Sequence, residues 1–158
     1  MPPSVLLRRA SVPAAAAPTW AEIAALLDLP CEPALDLTVA QAFDGPDGLR
    51  CALLPEPDGD RAASVALRPV VSLGLRADAL PGGSAGALLA MQAWLLASGR
   101  WFLGMAEDGE LQLSALVTAR TAAEVATCFC EGHLAAWVTL RALLQPDGAV
   151  VAAAEANA

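Results

Sequence analysis

The stretch that most constrains this chain is Gly86 to Val117, GALLAMQAWLLASGRWFLGMAEDGELQLSALV. Its first part reads as a helix that is apolar on nearly every face. Leu88, Met91 and Leu95 share one face, and Leu89, Gln92 and Leu96 the neighbouring one. Ala90, Ala93 and Ala97 keep the remaining side small, with Trp94 as a large anchor. A helix of this kind needs covering on more than one side. Ser98-Gly99 supplies a left-handed stop. Trp101–Met105 and Leu111–Val117 then read as strands paired across Glu107-Asp108-Gly109, and Asp-Gly between apolar runs is the strongest short-range hairpin signal. Ala79 to Gly99 is uncharged and about as long as a membrane span. Leu80-Pro81-Gly82-Gly83-Ser84 breaks it, however, and the remaining Ala85 to Ala97 has the length of a buried core helix.

The rest of the chain builds around this unit. Thr19 with Glu22 forms a capping box for a helix from Trp20 to about Leu29, closed by Pro30. Leu35, Leu37 and Val39 alternate with Asp36 and Thr38 as in a half-buried strand that fades towards Phe43. Asp44-Gly45-Pro46-Asp47-Gly48 is turn chemistry. Leu49 to Leu54 reads as a second strand stopped by Pro55 and Pro57, followed by a turn at Asp58-Gly59-Asp60. Ala63 to Leu75 reads as a third strand region in which Pro69 implies a bulge or an edge position. Thr121 and Glu124 repeat the capping box ahead of a helix reaching about Leu144. Along that helix Val125, Phe129, Ala136, Leu140 and Leu143 form a stripe interrupted at Gly132 and His133. The expected order is α-β-β-β-α-β-β-α, an α+β domain with an antiparallel sheet flanked by three helices. At 158 residues one domain is expected over 19–145, with a disordered Pro/Ala-rich extension over 1–18 and a flexible tail over 146–158.

Composition bears on partners. Hydrophobic residues make up 56% and charged residues 16%, against a charged share of about 25% in soluble domains. That excess points to an oligomer or a partner-binding surface. The formal net charge is −8, and every basic residue is Arg. An acidic chain without basic clusters argues against nucleic acid and against anionic membrane surfaces. Cys31, Cys51, Cys128 and Cys130 are irregularly spaced and read as reduced thiols. With no convincing signal peptide, the expected location is cytoplasmic.

Chemistry-bearing clusters are sparse. In Cys128-Phe129-Cys130-Glu131-Gly132-His133, a helix would point the two cysteines about 200° apart, which does not suit a convergent metal site. Cys130 and His133 have the spacing of a nucleophile–base pair, but no orienting group or oxyanion loop accompanies them. The Asp-Gly pairs lack the ligand spacing of calcium loops, and the glycines before the central helix lack the Lys-Ser/Thr ending of a phosphate loop. The reading is non-catalytic, with no metal and no cofactor.

Leu88-Leu89-Ala90-Met91-Gln92-Ala93-Trp94-Leu95, Trp101-Phe102-Leu103-Gly104-Met105, the Asp108-Gly109 turn, Leu111-Gln112-Leu113 and the long last helix together resemble the class I type III secretion chaperone (Tir-chaperone) family. The resemblance implies a small cytosolic homodimer that binds the N-terminal segment of a secreted effector. It would keep that segment soluble and export-competent without hydrolysing ATP. It further implies effector contacts at Ile23 and Leu27 on the first helix and at Leu37, Val39 and Leu53 on the strands. Dimer contacts would fall at Leu89, Gln92, Trp94 and Trp101. The competing reading is a non-catalytic dimerisation or regulatory module of the same build with no effector client.

Overall fold

The computed structural model describes residues 16–57 and 65–145. The terminal segments expected at 1–18 and 146–158 lie outside these apart from residues 16–18, which carry no regular structure. The turn expected at Asp58-Gly59-Asp60 also lies outside.

The described chain runs α1 (Trp20–Leu26), β1 (Gln41–Asp44), β2 (Arg50–Pro57), β3 (Val65–Arg76), α2 (Ser84–Ala97), β4 (Trp101–Met105), β5 (Glu110–Ala115) and α3 (Ala122–Leu144). The five strands form one antiparallel sheet in the order β1-β2-β3-β5-β4. This is the α+β architecture and element order expected from the sequence. Both capping boxes are present, from Thr19 and Glu22 and from Thr121 and Glu124. Gly99 and Gly109 take the left-handed conformations that end α2 and turn the β4–β5 hairpin. The helix α1 closes earlier than expected. Asp28 sits at φ 54°, and Leu29 N–H returns to the Ala24 carbonyl at 2.8 Å, a left-handed helix end made without glycine.

The first strand lies further along the chain than the apolar alternation suggested. Asp36 Oδ1 accepts hydrogen bonds from Thr38 N–H (3.0 Å) and Thr38 Oγ1 (2.6 Å). That side-chain turn competes with strand pairing. Leu35, Leu37 and Val39 therefore belong to a loop, and pairing begins at Gln41.

Pro55 and Pro57 sit where no neighbouring strand needs their missing N–H. β2 continues through Pro55 and Pro57, beyond the reach of β1, which pairs only as far as Leu53. Pro69 lies inside β3 with unbroken pairing to β2. Register places it opposite Ala115, the last residue of β5, whose carbonyl would take the absent N–H. Arg68 Nη1 donates to that carbonyl instead, while its Nη2 holds Glu56 Oε2 at 2.8 Å. The irregularity in β3 falls later, between Ser72 and Arg76 around the left-handed Gly74.

The side of the sheet bearing Phe43, Cys51, Val71 and Trp101 faces α3. α1 packs beside α3 on one flank, and α2 packs against α3 and β4 on the other. One core results, centred on Ile23, Leu53, Leu67, Val71, Leu95, Leu113, Val125, Phe129 and Leu143. Gly132, which appeared to interrupt the apolar stripe of α3, completes it. A Cβ at this position would lie 2.6 Å from the Trp101 ring and 3.1 Å from Val71. Gly132→Ala is therefore expected to destabilise by about 1–3 kcal/mol through overpacking, although alanine gains up to about 1 kcal/mol in helix propensity. In a Trp101→Leu background the cost of the same change should shrink. A urea denaturation cycle measures both, and a stabilised Gly132→Ala single variant would contradict the packing.

Candidate functional site

Two features of the surface stand out, one on α2 and one beside β1. Ser84–Ala97 contains no charged residue. Ala87, Met91 and Leu95 turn into the core. Leu89, Ala93 and Leu96 (i, i+4, i+7) form an uncovered outward row, joined by Ala90, Trp94 and Ala97. Leu89 is 74% exposed, Leu96 47% and Trp94 42%. An apolar face this wide is unusual on an isolated subunit. A second outward apolar row, Leu134, Trp137, Val138 and Leu144, runs along the C-terminal half of α3. The two helices touch near there, with Ser84 Oγ 3.4 Å from the Leu143 carbonyl.

Of the four residues expected at a subunit contact, Leu89 and Trp94 lie on the open face. Gln92 is half-buried and serves its own chain: its Oε1 accepts from Leu103 N–H at 2.8 Å. It thereby occupies an outward donor of the edge strand β4. Trp101 is 3% exposed and is a core residue against Gly132, so it does not reach a partner in this fold.

The five expected effector contacts divide similarly. Ile23, Leu27 and Leu53 are buried in the chain's own core. Leu37 is half-buried against that core, and Val39 is exposed. Leu37 and Val39 lie on the loop before β1. The inward face of α1 is thus the one that the sequence had offered to a partner.

The second feature is a cleft of about 270 Å³ between the α1–β1 loop and the free side of β1. Trp20, Leu35, Phe43, Glu32 and Asp44 are among its lining residues. Trp20 and Phe43 meet edge to face with centroids 4.9 Å apart, and Phe43 meets Phe129 in the same way at 5.4 Å. The cleft is therefore anchored to the centre of the core by three rings in series. Among the described residues, Trp20 Nε1 is buried without a hydrogen-bond partner. Neither the cleft nor the open N–H was legible in the sequence, because the loop that completes the cleft had been assigned to a strand.

A larger hollow of about 580 Å³ lies between the end of β5 and the first turns of α3, walled by Trp101, Ala115, Ala119 and Ala123. The Arg100–Glu131 ion pair (2.8 Å) borders it, and so does Cys128. Burial, and secondarily Glu131, pushes the Cys128 thiol pKa up.

The Cys130–His133 pairing considered from sequence is not formed, since Cys130 is exposed and His133 is buried. His133 meets Cys51 instead, across 82 positions of sequence, with Nε2 3.8 Å from Sγ. Its Nδ1 lies 2.6 Å from the Phe129 carbonyl, an acceptor, which places the ring proton on Nδ1. Burial, followed by the negative charge of Asp44, pushes the Cys51 thiol up to about 12. An activated nucleophile is shifted the other way. The pair is a packed thiol against an imidazole. Among the described residues, no three His, Cys, Asp or Glu side chains converge as metal ligands, and no helix is long and apolar enough to cross a membrane. Compared with known proteins, the chain matches no family model, no curated protein and no solved structure.

Proposed function

We propose that this chain is a non-catalytic cytoplasmic chaperone of the type III secretion kind. It acts as a homodimer and holds the N-terminal segment of an effector in a soluble, export-competent state. The observation that carries the proposal is the uncharged outward face of α2, which one subunit leaves open and a second copy would cover. Leu89, Trp94 and Leu96 supply the apolar anchors of that contact. Covering apolar surface contributes about 25 cal/mol per Å². The sequence resemblance over Leu88 to Leu116 supports the same role, and the packed Cys51–His133 pair offers no competing catalytic reading.

The α2 contact makes a direct prediction. In light scattering the chain should have twice its 16.1 kDa mass. Leu89→Glu combined with Leu96→Glu should reduce it to a folded monomer, because each carboxylate would be stranded on the apolar contact. A wild-type monomer, or a double variant that stays dimeric, would remove α2 from the interface. Purification from the native host should also bring down one or two exported proteins.

The burial of Ile23, Leu27 and Leu53 favours the second reading, a dimerisation or regulatory module without a client. Recovery of the dimer with no exported partner would select it.

A further inference from the structure

We propose that the outward face of α3's C-terminal half is a docking site for this chain's own residues 149–158, held by an ion pair between Arg141 and Glu155. The inference goes beyond the chaperone reading and does not rest on it.

The face comes first. Leu134, Trp137, Val138 and Arg141 follow the i, i+3, i+4, i+7 spacing of one helical stripe. Leu134 is 68% exposed, Trp137 50% and Val138 40%, so nothing among the described residues covers this apolar cluster. Arg141 is the one Asp, Glu, Lys or Arg of α3 beyond Glu131. Among the described residues its guanidinium has no hydrogen-bond or ion-pair partner. A guest complementary to this face is apolar and carries a carboxylate.

The adjoining sequence has that chemistry. Residues 149–158 consist of Val150, Val151, Asn157 and alanines, with Glu155 as their only charged side chain. As a helix they would place Val151, Ala154, Glu155 and Ala158 on a stripe of the same i, i+3, i+4, i+7 spacing. Alanine is the best helix former, and its small side chain lets a neighbouring helix approach closely. α3 ends at Leu144. Gln145-Pro146-Asp147-Gly148 then supplies turn residues. Antiparallel helix pairs are joined by loops of about two to five residues, and this connection fits that range.

The lengths agree as well. Residues 149–158 would span about 15 Å as a helix, and Leu134 to Leu144 covers the same extent. Folded back over the Gln145–Gly148 loop, Glu155 comes level with Val138, about 4.5 Å along the axis from Arg141. An arginine side chain covers that distance. A separate acidic peptide or a second copy would offer similar chemistry. The tethered segment outcompetes both, because it meets the face at an effective concentration of about millimolar. With this row covered, α2 is the helix whose apolar face stays open to a second copy.

The test reads the exposure of Trp137 in the full chain by acrylamide quenching, with Trp137→Phe as the blank. Removing residues 149–158 should abolish the protection of this indole. Glu155→Arg should lower the ratio of docked to open chain by about fivefold, since an attraction becomes a repulsion. Arg141→Glu should do the same, and the two changes combined should restore protection by re-forming the pair in reverse. Glu155→Arg lies outside α3 and decides the matter even if Arg141→Glu weakens that helix. Equal quenching of the full and shortened chains, or of the single and combined variants, would overturn the site. Protection that disappears on dilution would assign the face to a second copy. Protection gained by the full chain only when an acidic apolar peptide is added would assign it to a separate partner. Either result overturns the proposal.

Discussion

Phe129→Ala is expected to cost about 3–5 kcal/mol of folding stability, a large share of the roughly 5–15 kcal/mol that holds a domain together. Phe129 is fully buried at the middle of α3. It makes edge-to-face contacts with Phe43 at 5.4 Å and with His133 at 6.5 Å. Each aromatic contact adds about 0.5–1.5 kcal/mol beyond the area buried. Relaxation into the void is limited, because the ring sits between a sheet and a helix already locked by Gly132 and Trp101. Phe129→Leu keeps most of the volume and should lose much less. Urea denaturation compares the two, and a loss below about 1 kcal/mol for the alanine variant would mean that the core collapses freely around the site. The change should also loosen the Trp20–Phe43 wall of the cleft, since Phe43 would lose the ring behind it. Phe129 thus links the stability of the fold to the shape of the cleft.

The second large effect is alkaline. Folding raises the Cys51 thiol from 9.0 to about 12, chiefly through burial. The unfolded chain therefore releases this proton first as pH climbs. Stability tied to Cys51 is fully present below about pH 9, drains away through the window up to about 12, and levels off beyond it. The slope is at most about 1.4 kcal/mol per pH unit. The effect should be unusually clean, because the chain has no Lys and no Tyr to titrate in the same window. Cys128, whose thiol is also raised by burial, adds a smaller contribution of the same sign. Urea midpoints measured between pH 8 and 11 should fall in the wild type and fall less in Cys51→Ala. Thiol labelling gives the kinetic counterpart: exposed Cys31 and Cys130 should react in the native protein, and Cys51 only on unfolding. A flat alkaline profile, or rapid native labelling of Cys51, would contradict the burial.

Local chemistry was the legible part of the sequence. Thr19 with Glu22, Thr121 with Glu124, Ser98-Gly99 and Asp108-Gly109 each specify a cap or turn through neighbours only a few residues apart, and each forms. Leu35, Leu37 and Val39 misled for an equally local reason. Their period matched a strand, but the Asp36 carboxylate takes the Thr38 amide and folds the backbone away from one. Which of the expected site residues are buried is decided on a longer scale. Ile23, Leu27 and Leu53 carry the same apolar pattern whether they face a sheet or a guest, and only the arrival of α3 decides between them. The same holds for Trp101, committed to its own core by the missing side chain of Gly132, 31 positions later. Trp20 was read as the first residue of a helix. Its unmatched indole donor could not be anticipated, because being unmatched is a property of everything around it.

The amide of Gln92 on Leu103 N–H makes the two ends of the sheet unequal. One outward donor of β4 is taken by a side chain from the adjacent helix. A sheet with two receptive ends can pass strand pairing from molecule to molecule without limit and grow into fibres. Gln92 hinders pairing at that point of β4. Gln92→Ala should free the Leu103 N–H and raise the tendency of the chain to assemble edge to edge, as read by light scattering.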